Sequence, residues 1–307
     1  MKKNKVSLLP YIIEPVYGLS PSDPQEYGWE LTSFNIPKIW EKTTGKNVVV
    51  AVIDTGCDLD HPDIQNNLLE NKNFSGYNND ANDDNGHGTH VCSTIAAINN
   101  NKGIVGVSPD TKIIPIKVMN DKGQGLLDNV IEGIIWASNR GDVDFITMSL
   151  GSSQGSTELE SAINYANSKG CVVFCAAGNS GTNSDILFPA RYEKTISIGA
   201  IDKNLNRTSF TCSGESLDFL APGHDILGCI PGGRYALMSG TSMSNPFAVG
   251  CACLVLSYNK KYNKFKLNDY LDYINLFKKT TLSLNDKKYK GQKKYEGYGI
   301  INVESLL

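Results

Sequence analysis

Val48-Val49-Val50-Ala51-Val52-Ile53-Asp54-Thr55-Gly56 is the stretch from which the architecture can be read. Val48–Ile53 is apolar at every position, without alternation. Both faces of such an element must be buried, which predicts an inner strand of a parallel sheet. Working outward, Ile113–Val118, Phe145–Met148 and Cys171–Ala176 repeat the pattern. Between them His87–Ile98, Leu126–Asn139 and Glu158–Lys169 carry helical periodicity, and Ser242–Ser257 reads as a long buried helix rich in Ala, Val, Leu and Cys. Strands alternating with helices predict an α/β fold of three layers, a mainly parallel central sheet covered by helices. Residues 1–24, rich in Pro and Gly, read as an extended arm. No repeat or linker interrupts residues 25–307, which read as one domain.

Composition narrows the function. Lys plus Arg number 29 against 32 Asp plus Glu, a net charge of -3. That balance argues against nucleic acid as a partner. The Lys-rich stretch Lys287–Lys294 reads as a solvated loop. The eight cysteines include several inside apolar runs, such as V-V-F-C-A-A and C-A-C-L-V-L, and no C-x-x-C occurs. They read as buried free thiols, not as disulfides, a zinc site or a redox site. The N-terminus begins with lysines, but its apolar run is cut by Pro10 and ends at Glu14, unlike a secretory signal. No apolar run is long enough to span a bilayer. The expectation is a chain without a membrane partner, in a reducing, cytoplasmic setting.

Four residues stand where chemistry would need them. Asp54 ends the first strand, at the sheet edge where α/β proteins bind ligands. His87 lies in N-G-H-G-T-H at a helix start, between glycines that allow close backbone approach. Asn179 follows the strand V-V-F-C-A-A, in G-N-S-G. Ser242 lies in S-G-T-S-M, where a helix N-terminus offers free N–H groups to a developing anion. Each has an ordinary alternative: a turn-capping Asp, a satisfied His, a turn Asn, an N-cap Ser. Together they supply nucleophile, base, orienting carboxylate and oxyanion donor, the set that acyl transfer by serine requires. His87 and His90 as a metal pair lack an acidic residue at zincin spacing.

The sequence resembles the subtilase family of serine peptidases along almost its whole length. The strings that carry the resemblance are D-T-G-C-D at 54–58, H-P-D at 61–63, N-G-H-G-T-H-V at 85–91 and G-V-S-P at 106–109. S-L-G at 149–151, A-A-G-N-S-G at 176–181, F-P-A-R-Y at 188–192, L-A-P-G at 220–223, G-T-S-M at 240–243 and G-Y-G-I-I-N-V at 297–303 follow in the family's order. The arm's L-L-P-Y at 8–11 is similar to the short L-I-P-Y arm of intracellular subtilisins, and Cys57 beside Asp54 is typical of that group.

The resemblance implies a catalytic triad of Asp54, His87 and Ser242, with Asn179 and the neighbouring Thr241 at the oxyanion. It implies that Ser149, Leu150 and Gly151, with Gly123 and Gly125, pair with an extended protein or peptide substrate, and that Ala176, Ala177 and Gly178 border the site. Leu187 stands where the family usually has a small residue at the base of the S1 pocket, the pocket for the side chain before the cleaved bond. A structural Ca²⁺ is expected from the Asp63 and Asn100 side chains with carbonyls near Ile98, Lys102 and Ile104, all hard oxygen donors. Leu8, Leu9, Pro10 and Tyr11 are expected to lie in the substrate groove as an inhibitory segment of a zymogen. The family's Ala and His in the helix after the nucleophile are absent; Ser244, Asn245 and Phe247 occupy that stretch. A homodimer, a non-enzymatic binding or regulatory module on the same fold, and a maturation protease with one substrate are open alternatives.

Overall fold

The computed structural model describes residues 5–76 and 80–307. In the arm, β1 is Lys5–Leu8 and β2 is Ile12–Val16. Next come β3 (Val49–Asp54), β4 (Lys72–Asn73), β5 (Lys112–Lys117), β6 (Gln124–Leu126), β7 (Phe145–Met148) and β8 (Leu150–Gly151). The remaining strands are β9 (Val172–Ala176), β10 (Ile196–Ile201), β11 (Phe219–Pro222), β12 (Ile226–Ile230) and β13 (Arg234–Ser239). The short helices α1 (Trp29–Ser33) and α2 (Ile36–Ile39) precede the sheet. Then follow α3 (His87–Ala96), α4 (Leu127–Asn139), α5 (Thr157–Ser168), α6 (Thr241–Tyr262), α7 (Tyr270–Phe277) and α8 (Lys293–Glu296).

Seven strands form the central sheet in the order β11-β10-β9-β7-β3-β5-β4. Their neighbours run parallel throughout. The chain leaves β3 for β5 on one side and then crosses back to β7 on the other. Parallel crossovers are right-handed, so this reversal sends α3 and α4 to opposite faces. α3 packs on α6, and α4 on α5, as the two helical layers. The result is the three-layer α/β arrangement expected of the sequence. The inner strands are buried at every residue but the half-buried Val49, which is why they show no alternation.

The expected elements appear with ends moved by one to a few residues. β10, β11 and the β12–β13 hairpin had no counterpart in the sequence reading. The arm is strand at both ends of its L-L-P-Y segment. β1 joins β6 and β8 in an antiparallel three-stranded sheet, and β2 joins β13 at the edge of another. All eight cysteines are free and buried. Among the described residues, no helix is long and apolar enough to cross a membrane.

Candidate active site

Asp54 is the last residue of β3, at the carboxyl edge of the sheet beside the point where strand order reverses. The chain leaves it through Gly56, at φ +108, where a β-carbon would stand 2.2 Å from the Ala81 carbonyl oxygen. His87 opens α3. Its neighbour Gly88 lies so close to the Gly56 backbone that a β-carbon there would stand 2.1 Å from the Gly56 oxygen. Glycine at both places lets strand exit and helix start meet. His87 Nδ1 is then 2.8 Å from Asp54 Oδ1, and both side chains are buried. Asp54 Oδ1 also accepts the Thr55 N–H at 2.8 Å. Asp54 Oδ2 and His87 Nε2 have no hydrogen-bond partner among the described residues.

Ser242 is the second residue of α6. Its Oγ donates to the Ser149 carbonyl at 3.4 Å. No hydrogen bond joins Ser242 to His87 among the described residues. Asn179 is held by Thr241, whose N–H and Oγ1–H donate to Asn179 Oδ1 at 2.9 and 2.8 Å. That leaves Asn179 Nδ2 free to face the groove. Ala177 and Gly178 are tied back by hydrogen bonds from Leu187 N and Cys212 N to their carbonyls. Ala176 ends β9.

The groove is filled by the arm. Ser7 is opposite Gly151 and Leu8 opposite Leu150 on one side, with Val6 opposite Gly125 on the other. Leu8 N donates to the Gly123 carbonyl at 2.9 Å. Val6 and Leu9 are buried, while Ser7 faces out. The Leu9 side chain lies against Gly151, where a β-carbon would meet Leu9 Cδ2 at 2.8 Å and Leu187 at 3.3 Å. Leu187 therefore lines the same pocket. The Pro10 carbonyl accepts from Asn179 Nδ2 at 2.7 Å. The Tyr11 ring covers that of His87, 5.0 Å between centroids. Burial, with Asp54 and Asp83 nearby, pushes the Tyr11 phenol up, so it stays neutral.

A second cluster surrounds Asp63. Its Oδ2 accepts from Ile104 N and from Tyr235 OH, both at 2.8 Å. Its Oδ1 is buried and has no partner among the described residues. The carbonyls of Ile98, Lys102 and Ile104 converge on Gln25 Nε2 at 2.9, 3.2 and 3.1 Å. Asn100 Oδ1 accepts from Lys102 N within the same loop. Gln25 was absent from the sequence reading. It sits more than seventy residues from this loop in the chain, and a lone Gln after Pro24 carries no local signal. His61 and Cys229 also approach Asp63. Both His61 nitrogens are engaged, with Asp63 N and the Arg234 carbonyl, and burial holds the Cys229 thiol protonated.

Comparison with known proteins assigns the chain to a family. A family model described as the Subtilase family matches residues 45–299. The chain is 40% identical over 263 residues to an intracellular serine protease of Paenibacillus polymyxa, across 83% of this chain and 80% of that protein. It is 40% identical over 266 residues to subtilisin E of Bacillus subtilis (strain 168), across 85% of this chain and 66% of that protein. With subtilisin Savinase of Lederbergia lenta it shares 38% identity over 282 residues, 92% of this chain and 98% of that one. The chain belongs to the subtilase family, and it is a serine endopeptidase.

Proposed function

We propose that the chain cleaves extended peptides through an acyl-enzyme on Ser242, and that residues 1–24 restrain the peptidase domain of residues 25–307 until they are removed. The observation that carries the mechanism is the buried Asp54–His87 pair at 2.8 Å, with His87 Nε2 unpartnered among the described residues, at the start of a helix packed on the one that bears Ser242. Ser242 Oγ attacks the scissile carbonyl and its proton passes to His87 Nε2. Asp54 holds the imidazole by its Nδ1–H and stabilises the imidazolium. The carbonyl oxygen gains negative charge facing Asn179 Nδ2, a donor pre-set by Thr241. His87 returns the proton to the leaving amine, and water releases the acyl group. A fluorophosphonate should label Ser242, and Ser242→Ala should lose both labelling and nearly all proteolysis. Undiminished proteolysis in that variant would sink the assignment.

The register of the arm supports restraint. Leu9 fills the side-chain pocket, yet the carbonyl at Asn179 belongs to Pro10. Pocket and oxyanion donor are thus satisfied by different residues, so no single peptide bond is set for attack. Pro10 lacks an N–H and holds φ near −65°, which lets the chain step out of substrate register here. Burying Val6 and Leu9 contributes roughly 1.5–3 kcal/mol each, and the tether raises the arm's effective concentration. A cytoplasmic setting is supported by eight free cysteines and by the name of the Paenibacillus relative.

The Asp63 cluster suits a structural Ca²⁺. An amide nitrogen has two protons, but three carbonyls converge on Gln25 Nε2, beside a buried carboxylate oxygen with no partner. Half a turn of the Gln25 amide would present its oxygen instead. Asp63, Gln25, the Asn100 side chain and the carbonyls of Ile98, Lys102 and Ile104 would then hold a hard cation. Its contribution would be to pin the loop after α3, with no part in bond cleavage.

A further inference from the structure

Asn245 lies one turn beyond Ser242 on α6, so the two share a side of the helix. It is fully buried. Its Nδ2 donates to Thr147 Oγ1 at 2.8 Å and to the Met148 carbonyl at 3.2 Å, and reaches Ser149 Oγ at 3.5 Å. These acceptors are consecutive: Thr147 and Met148 end β7, and Ser149 joins it to the substrate strand β8. Asn245 Oδ1 is buried without a partner among the described residues. An orphaned buried acceptor costs about 1–3 kcal/mol, a poor choice if only packing mattered. Ser149 completes the link. Its Oγ donates to the Ser242 carbonyl at 3.1 Å, and its own carbonyl accepts from Ser242 Oγ.

We propose that Asn245 is a positioning residue for the nucleophile. By clamping residues 147–149 to the N-terminal end of α6, it sets the distance between Ser242 and the peptide carried by β8. A planar amide can reach two acceptors at once, whereas alanine reaches none. Displacement of about 1 Å at a reacting centre costs on the order of a hundredfold in rate. The proposal rests on Ser242 being the nucleophile.

The test compares full-length chains carrying the same arm: the parent, Asn245→Ala, Thr147→Val and the double variant. Thr147→Val removes the nearest acceptor and leaves the helix intact, so it carries the test if Asn245→Ala does not fold. The rate constant for fluorophosphonate labelling is measured per labelled site, with kcat per titrated site and KM on a peptide anilide. A merely structural role lowers the labelled fraction and leaves the rate constant per site alone. Expected is a fall on the order of tenfold to a hundredfold in the labelling rate constant and in kcat, with KM unchanged. The double variant should fall no further than Asn245→Ala, because both changes break one contact. A parental rate constant in both single variants overturns the proposal while Ser242 remains the nucleophile. Failure of the parent to label at Ser242 overturns the underlying reading as well.

Discussion

Asn179 donates its side-chain amide to the carbonyl of Pro10 at 2.7 Å, one residue past the Leu9 side chain that fills the pocket. In the proposed mechanism the arm therefore holds the oxyanion donor and the side-chain pocket out of step. A chain beginning near Leu19 should show a higher initial rate on a peptide substrate, and a synthetic Val6–Val16 peptide should inhibit it. Pro10→Ala should restore register and speed trimming of the arm. Equal initial rates for full-length and shortened chains, with no lag before trimming appears by mass spectrometry, would rule out restraint.

In the proposed mechanism Asn179 also faces the developing oxyanion. Thr241 fixes its oxygen, so its nitrogen is a pre-oriented donor. On the shortened chain, Asn179→Ala should lower kcat by roughly 10²–10³-fold with little change in KM, as for loss of one oxyanion donor. A change confined to KM would mean that Asn179 binds substrate only.

Leu187 narrows the pocket that Leu9 enters. It stands between Gly151 and Gly178, within 3.0–3.3 Å of where a β-carbon on either would lie. Leu187→Gly should raise cleavage after large aromatic residues relative to small ones, read by a peptide-library digest. An unaltered profile would remove Leu187 from the pocket wall.

The oxygen cluster at Asp63 predicts a metal-dependent melting temperature. Chelator should lower it and Ca²⁺ should restore it, and Gln25→Ala should weaken the response. Identical melting with and without chelator would count against the site.

Glu30 gives stability a pH dependence. Burial raises its carboxyl to about 7 from an ordinary 4.5, and its Oε2 has no partner among the described residues. The folded chain then holds the proton more tightly than the unfolded chain. Stability is fully present below about pH 4.5 and falls as pH rises through about 7. Glu30→Gln should stabilise the fold at pH 8, by up to about 3 kcal/mol from a shift of this size, and do nothing at pH 4. Chemical denaturation at both pH values checks this, and equal gains at the two would refute it.

The architecture was legible in the sequence, as were the four residues proposed to react, because each is announced by its immediate neighbours. The run from 49 to 53 is apolar because strands flank it on both sides and helices cover both faces, and Asp54 is where that run stops. Gly86 and Gly88 around His87, and Gly240 ahead of Thr241–Ser242, mark backbone that must turn or approach closely, and such demands are local. Contacts made by generic groups across long chain separations were not legible. Strand β2 pairs with β13 through main-chain groups that any sequence carries. The carbonyl that reaches Asn179 comes from 169 residues away, and Gln25 meets Ile98 across 73. Asn245 reads as one polar residue in a buried helix until packing brings Thr147 to it. Side-chain type and spacing determined the fold and the chemistry. Tertiary packing alone decided which carbonyl meets Asn179, because backbone carbonyls are chemically alike and only position in space tells them apart.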